Sequence, residues 1–185
     1  MATRYQAHRK KWIDCTACPL HQGRTQVVLA RGHLPADILF VGEAPGASED
    51  VLGRPFVGPA GHLLDSIVDQ ALDAVPGIGV AFTNLVACIP KTGATTAKIG
   101  EPPAQAIQAC NPRLLELIDL CHPQLIVGVG VLATKHLEAL DSSMVMVISI
   151  VHPAAILRMD ISQRGLAIQR ATIALEDAAT ELVPF

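Results

Sequence analysis

Asp37-Ile-Leu-Phe-Val41 runs without a break into Gly42-Glu-Ala-Pro-Gly46. A short apolar run of this kind fits a strand buried on both faces, and the Gly/Pro-rich pentad that follows must end it. That pentad also carries an acid, Glu43, at the strand tip. Next, the segment Gly61 to Val75 sets Leu63, Leu64, Ile67, Val68, Ala71, Leu72 and Val75 at spacings of three and four, one face of a helix. Gly77 and Gly79 close it. Strand, turn and helix in this order is the unit of a parallel α/β sheet.

The unit recurs along the chain. Val80 to Val86 is a second strand candidate, Gln124 to Gly128 a third and Met144 to Val151 a fourth. Helices are expected from about Ala104 to Leu120, with Pro112 kinking or restarting the helix, from Val131 to Leu140, and from about Ser162 to Leu182. Residues 89–103 have no periodicity and read as a long loop. The alternation predicts a three-layer α/β/α sandwich around a four-stranded parallel sheet, in one domain spanning 1–185. Ligands of such sheets sit beyond the carboxyl ends of the strands. GEAPG, Thr83-Asn84 and His152-Pro153 all fall at such ends.

Composition agrees. The 185 residues are 50% hydrophobic and 17% charged, which excludes a disordered chain. Aromatics make up only 3%, so Val, Ile, Leu and Ala must build the core. The formal charge is −3, and Arg4, Arg9, Lys10, Lys11 and Arg24 concentrate positive charge near the N-terminus, where a solvated basic segment is expected. There is no apolar leader or run long enough to span a bilayer, so the chain reads as cytoplasmic with no membrane partner. In that compartment the five cysteines are thiols or ligands rather than disulfides.

Two motifs admit more than one reading. Gly128-Val-Gly130-Val-Leu-Ala133 fits a dinucleotide fingerprint, but it follows the third strand and lacks the acid expected about 20 residues on. Close strand-to-helix packing explains its glycines better. Cys15 and Cys18, spaced as Cys-x-x-Cys, with Cys88 and Cys110 make a four-thiolate site possible, suited to zinc or an iron–sulfur cluster. Between Gly42 and Asp65 lie glycines, the acids Glu43, Glu49 and Asp50, and an exposed-looking Phe56; together they are hard to assign to packing. Gly58-Pro-Ala-Gly61 opens a helix whose N-terminus can receive a phosphate.

The segment Gly42 to Asp65 resembles the signature of the iron–sulfur uracil-DNA glycosylases, family 4 of their superfamily. The resemblance extends to CxxCPL with a following Arg24, to Thr83-Asn-Leu-Val-Ala-Cys88, to the helix-borne Cys110 and to His152-Pro-Ala-Ala-Ile-Leu-Arg158, in the family's order. It implies cleavage of the bond between uracil and deoxyribose in DNA, on a base flipped into a pocket. Carried over by position, His152 would donate to the uracil O2 and Asn84 would read the base edge. Phe56 would stack on the base, Glu43 would position water or stabilise the cationic sugar, and Glu49 would shape the pocket together with Gly42 and Gly46. Gly58, Gly61 and Ser149 would hold phosphates. Ile156, Leu157 and Arg158 would wedge into the duplex. Cys15, Cys18, Cys88 and Cys110 would bind a structural [4Fe–4S] cluster, with Cys121 left as a buried thiol. The enzyme would work as a monomer.

There are departures. The run after Cys88, Ile89-Pro90-Lys91, is less basic than in the family, and the loop before Cys110 is long, neutral and Thr-rich. Gly46 stands where another branch of the superfamily carries a bulky residue that excludes the thymine methyl, leaving room at C5 unless Glu49 or the long loop fills it. Two alternatives follow: excision of a larger C5-modified pyrimidine, or a catalytically silent, DNA-binding or zinc-stabilised relative.

Overall fold

The computed structural model describes residues 2–92, 98–140 and 145–182. Five strands form the main sheet in the order β1-β3-β2-β6-β7. They are β1 (Arg31–Gly32), β2 (Ile38–Gly42), β3 (Val80–Asn84), β6 (Leu125–Val129) and β7 (Met146–Ile150). The four strands expected from the sequence are all present and mutually parallel. The expected count is corrected by β1, a two-residue strand antiparallel to β3 at the sheet edge. Two residues carry no alternation, so β1 leaves no trace in the pattern.

Side chains alternate across β2. Ile38 and Phe40 join one core with α3 (Pro59–Leu72), α6 (Pro153–Arg158) and α7 (Ile161–Thr180). Leu39 and Val41 join the other with α4 (Ala104–Cys121) and α5 (Val131–Ala139). Every residue of β2 and β6 is buried, as central parallel strands require. Helix α4 does not restart at Pro112. The proline lies on its exposed face, as does Gln108, whose carbonyl loses its helical partner and is left to solvent.

Three further elements complete the chain around the sheet. The basic N-terminal segment is a helix, α1 (Ala2–Trp12), whose Arg4, Arg9, Lys10 and Lys11 are exposed to solvent as expected. It packs on α4 through Arg4–Asp119 at 3.0 Å and Lys11–Glu116 at 2.7 Å. Acids Glu49 and Asp50 lie on α2 (Ala47–Leu52). The segment read as a structureless loop contains a small hairpin, β4 (Lys91–Thr92) with β5 (Lys98–Ile99), and its intervening residues 93–97 lie outside the described part.

Register brings the strand tips level. Gly42 pairs with Asn84, Val41 with Gly128, and Val129 with Ile150. The residues that follow each tip therefore share one edge of the sheet.

Candidate active site

That edge holds a cavity of about 870 Å³. Its wall takes Glu43 and Gly46 from the β2 turn, Glu49 from α2, and Phe56 and Gly58 from the approach to α3. It takes Asn84 from the end of β3, Gly130 from the end of β6, and Ser149, His152 and Arg158 from β7 and α6. The hairpin adds Ile99, Gly100, Glu101 and Pro102.

Two glycines make the approach possible. A β-carbon on Gly130 would stand 3.0 Å from Glu43 Oε1 and 3.3 Å from His152 Cβ. Gly130 also has φ +97°, a conformation that L side chains rarely adopt. A β-carbon on Gly42 would collide with Asn84 Oδ1 and stand 2.5 Å from Phe56 Cζ. Glu43 and His152 thus both approach Gly130, and Asn84 and Phe56 both approach Gly42. The packing explanation for the 128–133 glycines holds for Gly128, where a side chain would strike Thr134. Gly130 is a site residue that sequence reasoning missed. Its signal was position, directly after a strand tip.

His152 caps α6: its Nδ1 accepts the Ala154 amide at 3.1 Å. An accepting Nδ1 bears no proton, so the neutral ring carries its proton on Nε2. Burial lowers the affinity of this ring for a second proton, with Arg158 acting in the same direction and Glu49 against it. Burial also raises the Glu43 carboxyl above its ordinary value, and Glu101 raises it further. Glu101 was not singled out in the sequence, because it sits in the segment without periodicity.

Phe56 is not exposed as expected; it is 6% accessible and has φ +53°. Arg31 holds this turn by donating to Pro55 O at 2.8 Å and Phe56 O at 3.3 Å, with Asp65 as its ion-pair partner at 2.5 Å. The strain is fixed by those bonds, and the ring is left packed beside Gly42 and Phe82 with one edge on the cavity. Asn84 is 3% accessible. Gly58 is the N-cap of α3, and Gly61 lies in its first turn, directly against the Phe56 backbone. Gly61 does not reach the cavity wall. Ser149 is exposed on β7 and accepts from the Thr134 hydroxyl at 2.9 Å.

The expected wedge needs correction. Residues 153–158 form a helix, and its turn points Ile156 inward, 0% accessible in the core with α3 and α7. Ile156 cannot enter a duplex without leaving that core. Leu157 is half-buried, and Arg158 is exposed at the cavity rim.

Cys15, Cys18, Cys88 and Cys110 line one small, apolar-walled pocket with Val27, Leu29 and Ala87. Arg24 donates to Cys15 O at 2.5 Å and to Cys88 Sγ at 3.4 Å. Among the described residues no three His, Cys, Asp or Glu side chains are drawn together as ligands of one metal ion. Cys121 is fully buried elsewhere, and burial pushes its thiol up to about 12.

Comparison with known proteins decides the family. Residues 30–176 match the family model "Uracil DNA glycosylase superfamily". The chain belongs to the uracil DNA glycosylase superfamily. Among its relatives, the type-4 uracil-DNA glycosylase of Archaeoglobus fulgidus is 31% identical over 78% of this chain and 79% of its own length. That of Sulfurisphaera tokodaii is 40% identical, covering 70% of this chain and 56% of its own length. That of Thermotoga maritima is 43% identical, covering 64% and 58%. The chain thus spans under two thirds of the length of the latter two. The crystal structure of Pedobacter heparinus SMUG2 shares the fold, with a TM-score of 0.61 at 11% identity, covering 78% of this chain and 76% of that one. No described helix is long and apolar enough to cross a membrane.

Proposed function

We propose that this superfamily member is a uracil-DNA glycosylase that hydrolyses the N-glycosidic bond of a flipped deoxyuridine and leaves an abasic site. The observation that carries the reading is the approach of both Glu43 and His152 to Gly130, in the cavity that Asn84 and Phe56 also line. The type-4 uracil-DNA glycosylases named above support the substrate class. Breaking the bond leaves electrons on the base and a cationic sugar. The neutral His152, with its proton on Nε2, donates toward the uracil O2 as that oxygen becomes anionic. Glu43 offers a carboxylate to the sugar side, where it stabilises the cation or orients the water whose hydroxyl joins C1′. Asn84, with a donor and an acceptor on one amide, matches the uracil edge and mismatches that of cytosine. Phe56 stacks on the base. Gly58 and Ser149 would meet backbone phosphates, and Leu157 and Arg158 would fill the gap in the duplex.

Glu49 favours uracil over larger C5-substituted bases. Its Oε2 lies 2.6 Å from where a side chain on Gly46 would begin, so its carboxylate fills the room that the glycine leaves. Convergence of Glu43, Asn84 and His152 speaks against a silent relative.

The four cysteines fit a [4Fe–4S] cluster. All four line one small pocket, and a cubane takes one thiolate at each of its four irons. The cluster would supply a crosslink between the N-terminal segment, the chain after β3 and α4; hydrolysis needs no electron from it. Iron and acid-labile sulfide in protein prepared without oxygen would bear this out, and a colourless zinc protein would contradict it. The five-stranded sheet carries helices on both faces, which supports a single domain.

The test of function is base release from a panel of duplexes carrying uracil, hydroxymethyluracil, bulkier C5-substituted pyrimidines and cytosine, with His152→Ala and Asn84→Ala as controls. Uracil release that both substitutions abolish or cripple is expected. Release of a C5-modified base without uracil would overturn the reading.

A further inference from the structure

Arg113 is the largest fully buried side chain among the described residues, 1% accessible, one turn beyond Cys110 on α4. A buried guanidinium is costly unless its charge and donors are met. Its donors converge on the end of β3: Nη1 donates to Thr83 Oγ1 at 2.8 Å, and Nη2 to Asn84 O at 2.5 Å and Leu85 O at 2.8 Å. Thr83 Oγ1 in turn donates to Leu29 O at 2.7 Å. The amides of the same turn point the other way. Leu85 N–H donates to Gly42 O at 2.8 Å and Val86 N–H to Glu43 O at 3.2 Å. One cation therefore holds by its carbonyls the turn that bears Asn84 and, by its amides, ties down the Glu43 backbone.

Arg113 forms no ion pair with a carboxylate among the described residues, and its Nε has no hydrogen-bond partner. On its other side it lines the four-cysteine pocket, together with Leu29 and Cys110. A cluster held by four thiolates is anionic and would stand as the missing counter-charge.

We infer that Arg113 is a positioning residue, which fixes Asn84 at the base-reading edge and joins that edge to the four-cysteine pocket as the counter-ion of the group bound there. The inference rests on the glycosylase reading of Asn84 and on the cluster reading of the cysteines. It extends both: the cluster then helps set the base-reading geometry rather than only stapling the N-terminal segment.

The test uses the purified holoprotein and Arg113→Met, with Arg113→Lys and Thr83→Val as milder variants should the first fail to fold. Three quantities are measured: exchange of the Leu85 and Val86 amides, the midpoint potential of the cluster, and single-turnover uracil release against substrate affinity. Arg113→Met is expected to speed exchange at both amides by tenfold or more. It is expected to make the cluster harder to reduce, because a nearby positive charge is gone. Uracil release should slow by tenfold or more with little change in affinity. Arg113→Lys, which keeps the charge but not the fork, should restore the potential and only part of the rate. Thr83→Val should speed exchange and leave the potential in place. Unchanged exchange and an unchanged potential in a folded Arg113 variant would overturn the proposal. Those two readouts do not depend on uracil release, so a wild-type protein inactive on uracil would sink the glycosylase reading separately.

Discussion

Glu43 and His152 face one another across a missing side chain: Glu43 Oε1 lies 3.0 Å, and His152 Cδ2 3.4 Å, from the point where a β-carbon of residue 130 would stand. An acid raised by burial and an imidazole lowered by burial share one small space. Each is pushed toward its neutral form, and the two roles in the proposed reaction need one of them neutral and the other charged.

The pH dependence follows from those directions. The His152 pKa is lowered from 6.5, so its neutral form persists at neutral pH and is lost only on acidification below that value. Glu43, raised from 4.5, takes up a proton on the same acid limb. The rate should be level near neutrality and fall on the acid side with contributions from both groups. Glu43→Gln should cost about 10²- to 10⁴-fold in rate, the usual weight of a positioned acid or base, and leave a shallower limb from His152 alone. For a raised carboxyl, stability is present at low pH and lost as pH rises through the folded pKa. The same variant should therefore melt higher than wild type at neutral pH. A pH–rate series and thermal melts check both.

Gly130→Ala tests the shared space directly. The new methyl meets the Glu43 oxygen and the His152 ring on a backbone with φ +97°. A stability cost of about 1–3 kcal/mol is expected from the strained conformation. The rate should fall far more than this cost explains while the fold remains, as near-ultraviolet circular dichroism and single-turnover kinetics would report. Gly128→Ala, which strikes Thr134 instead, should cost stability more than rate at the populated folded state.

Asp50 should contribute to acid stability. It is 2% accessible and accepts from the Thr25 amide at 2.8 Å and Lys91 Nζ at 3.0 Å. Burial raises its carboxyl, but the Thr25 and Lys91 bonds outweigh that and hold it below 3.8. A lowered carboxyl contributes stability above its unfolded value that is lost as pH falls through the folded one. Asp50→Asn should destabilise by about 1–3 kcal/mol at neutral pH, the cost of leaving buried polar partners unmet. The gap should close as pH drops below 3.8. Urea unfolding at several pH values measures it.

The α6 residues should separate into two behaviours. Ile156→Ala should cost about 2–5 kcal/mol of stability, as for a fully buried aliphatic side chain. Arg158→Ala should leave stability unchanged and weaken duplex binding, lowering the salt slope by about one if the guanidinium meets a phosphate. Leu157→Ala should act on duplex more than on single-stranded uracil.

Much of this was legible in the sequence. The central strands are unbroken apolar runs, and the tips that bear Glu43, Asn84 and His152 follow from where those runs stop. What the pattern hid has physical reasons. Strand β1 and the 91–99 hairpin strands are two residues long, too short for periodicity. The burial of Phe56 depends on Gly42 having no side chain and on Arg31 reaching across to its carbonyl. The burial of Ile156 depends on the His152 cap, which starts a helix and turns that side chain inward. Arg113 leaves no signal in the pattern, because its three acceptors come from the end of β3 and the residue after it, far away in sequence.

Release of uracil by the wild-type protein, followed in single turnover beside Glu43→Gln and His152→Ala, tests the shared Glu43–His152 space most directly. Free uracil and an abasic site from the wild type, with each variant slower by 10²-fold or more, is the predicted result. Uracil release undiminished in both variants would contradict it.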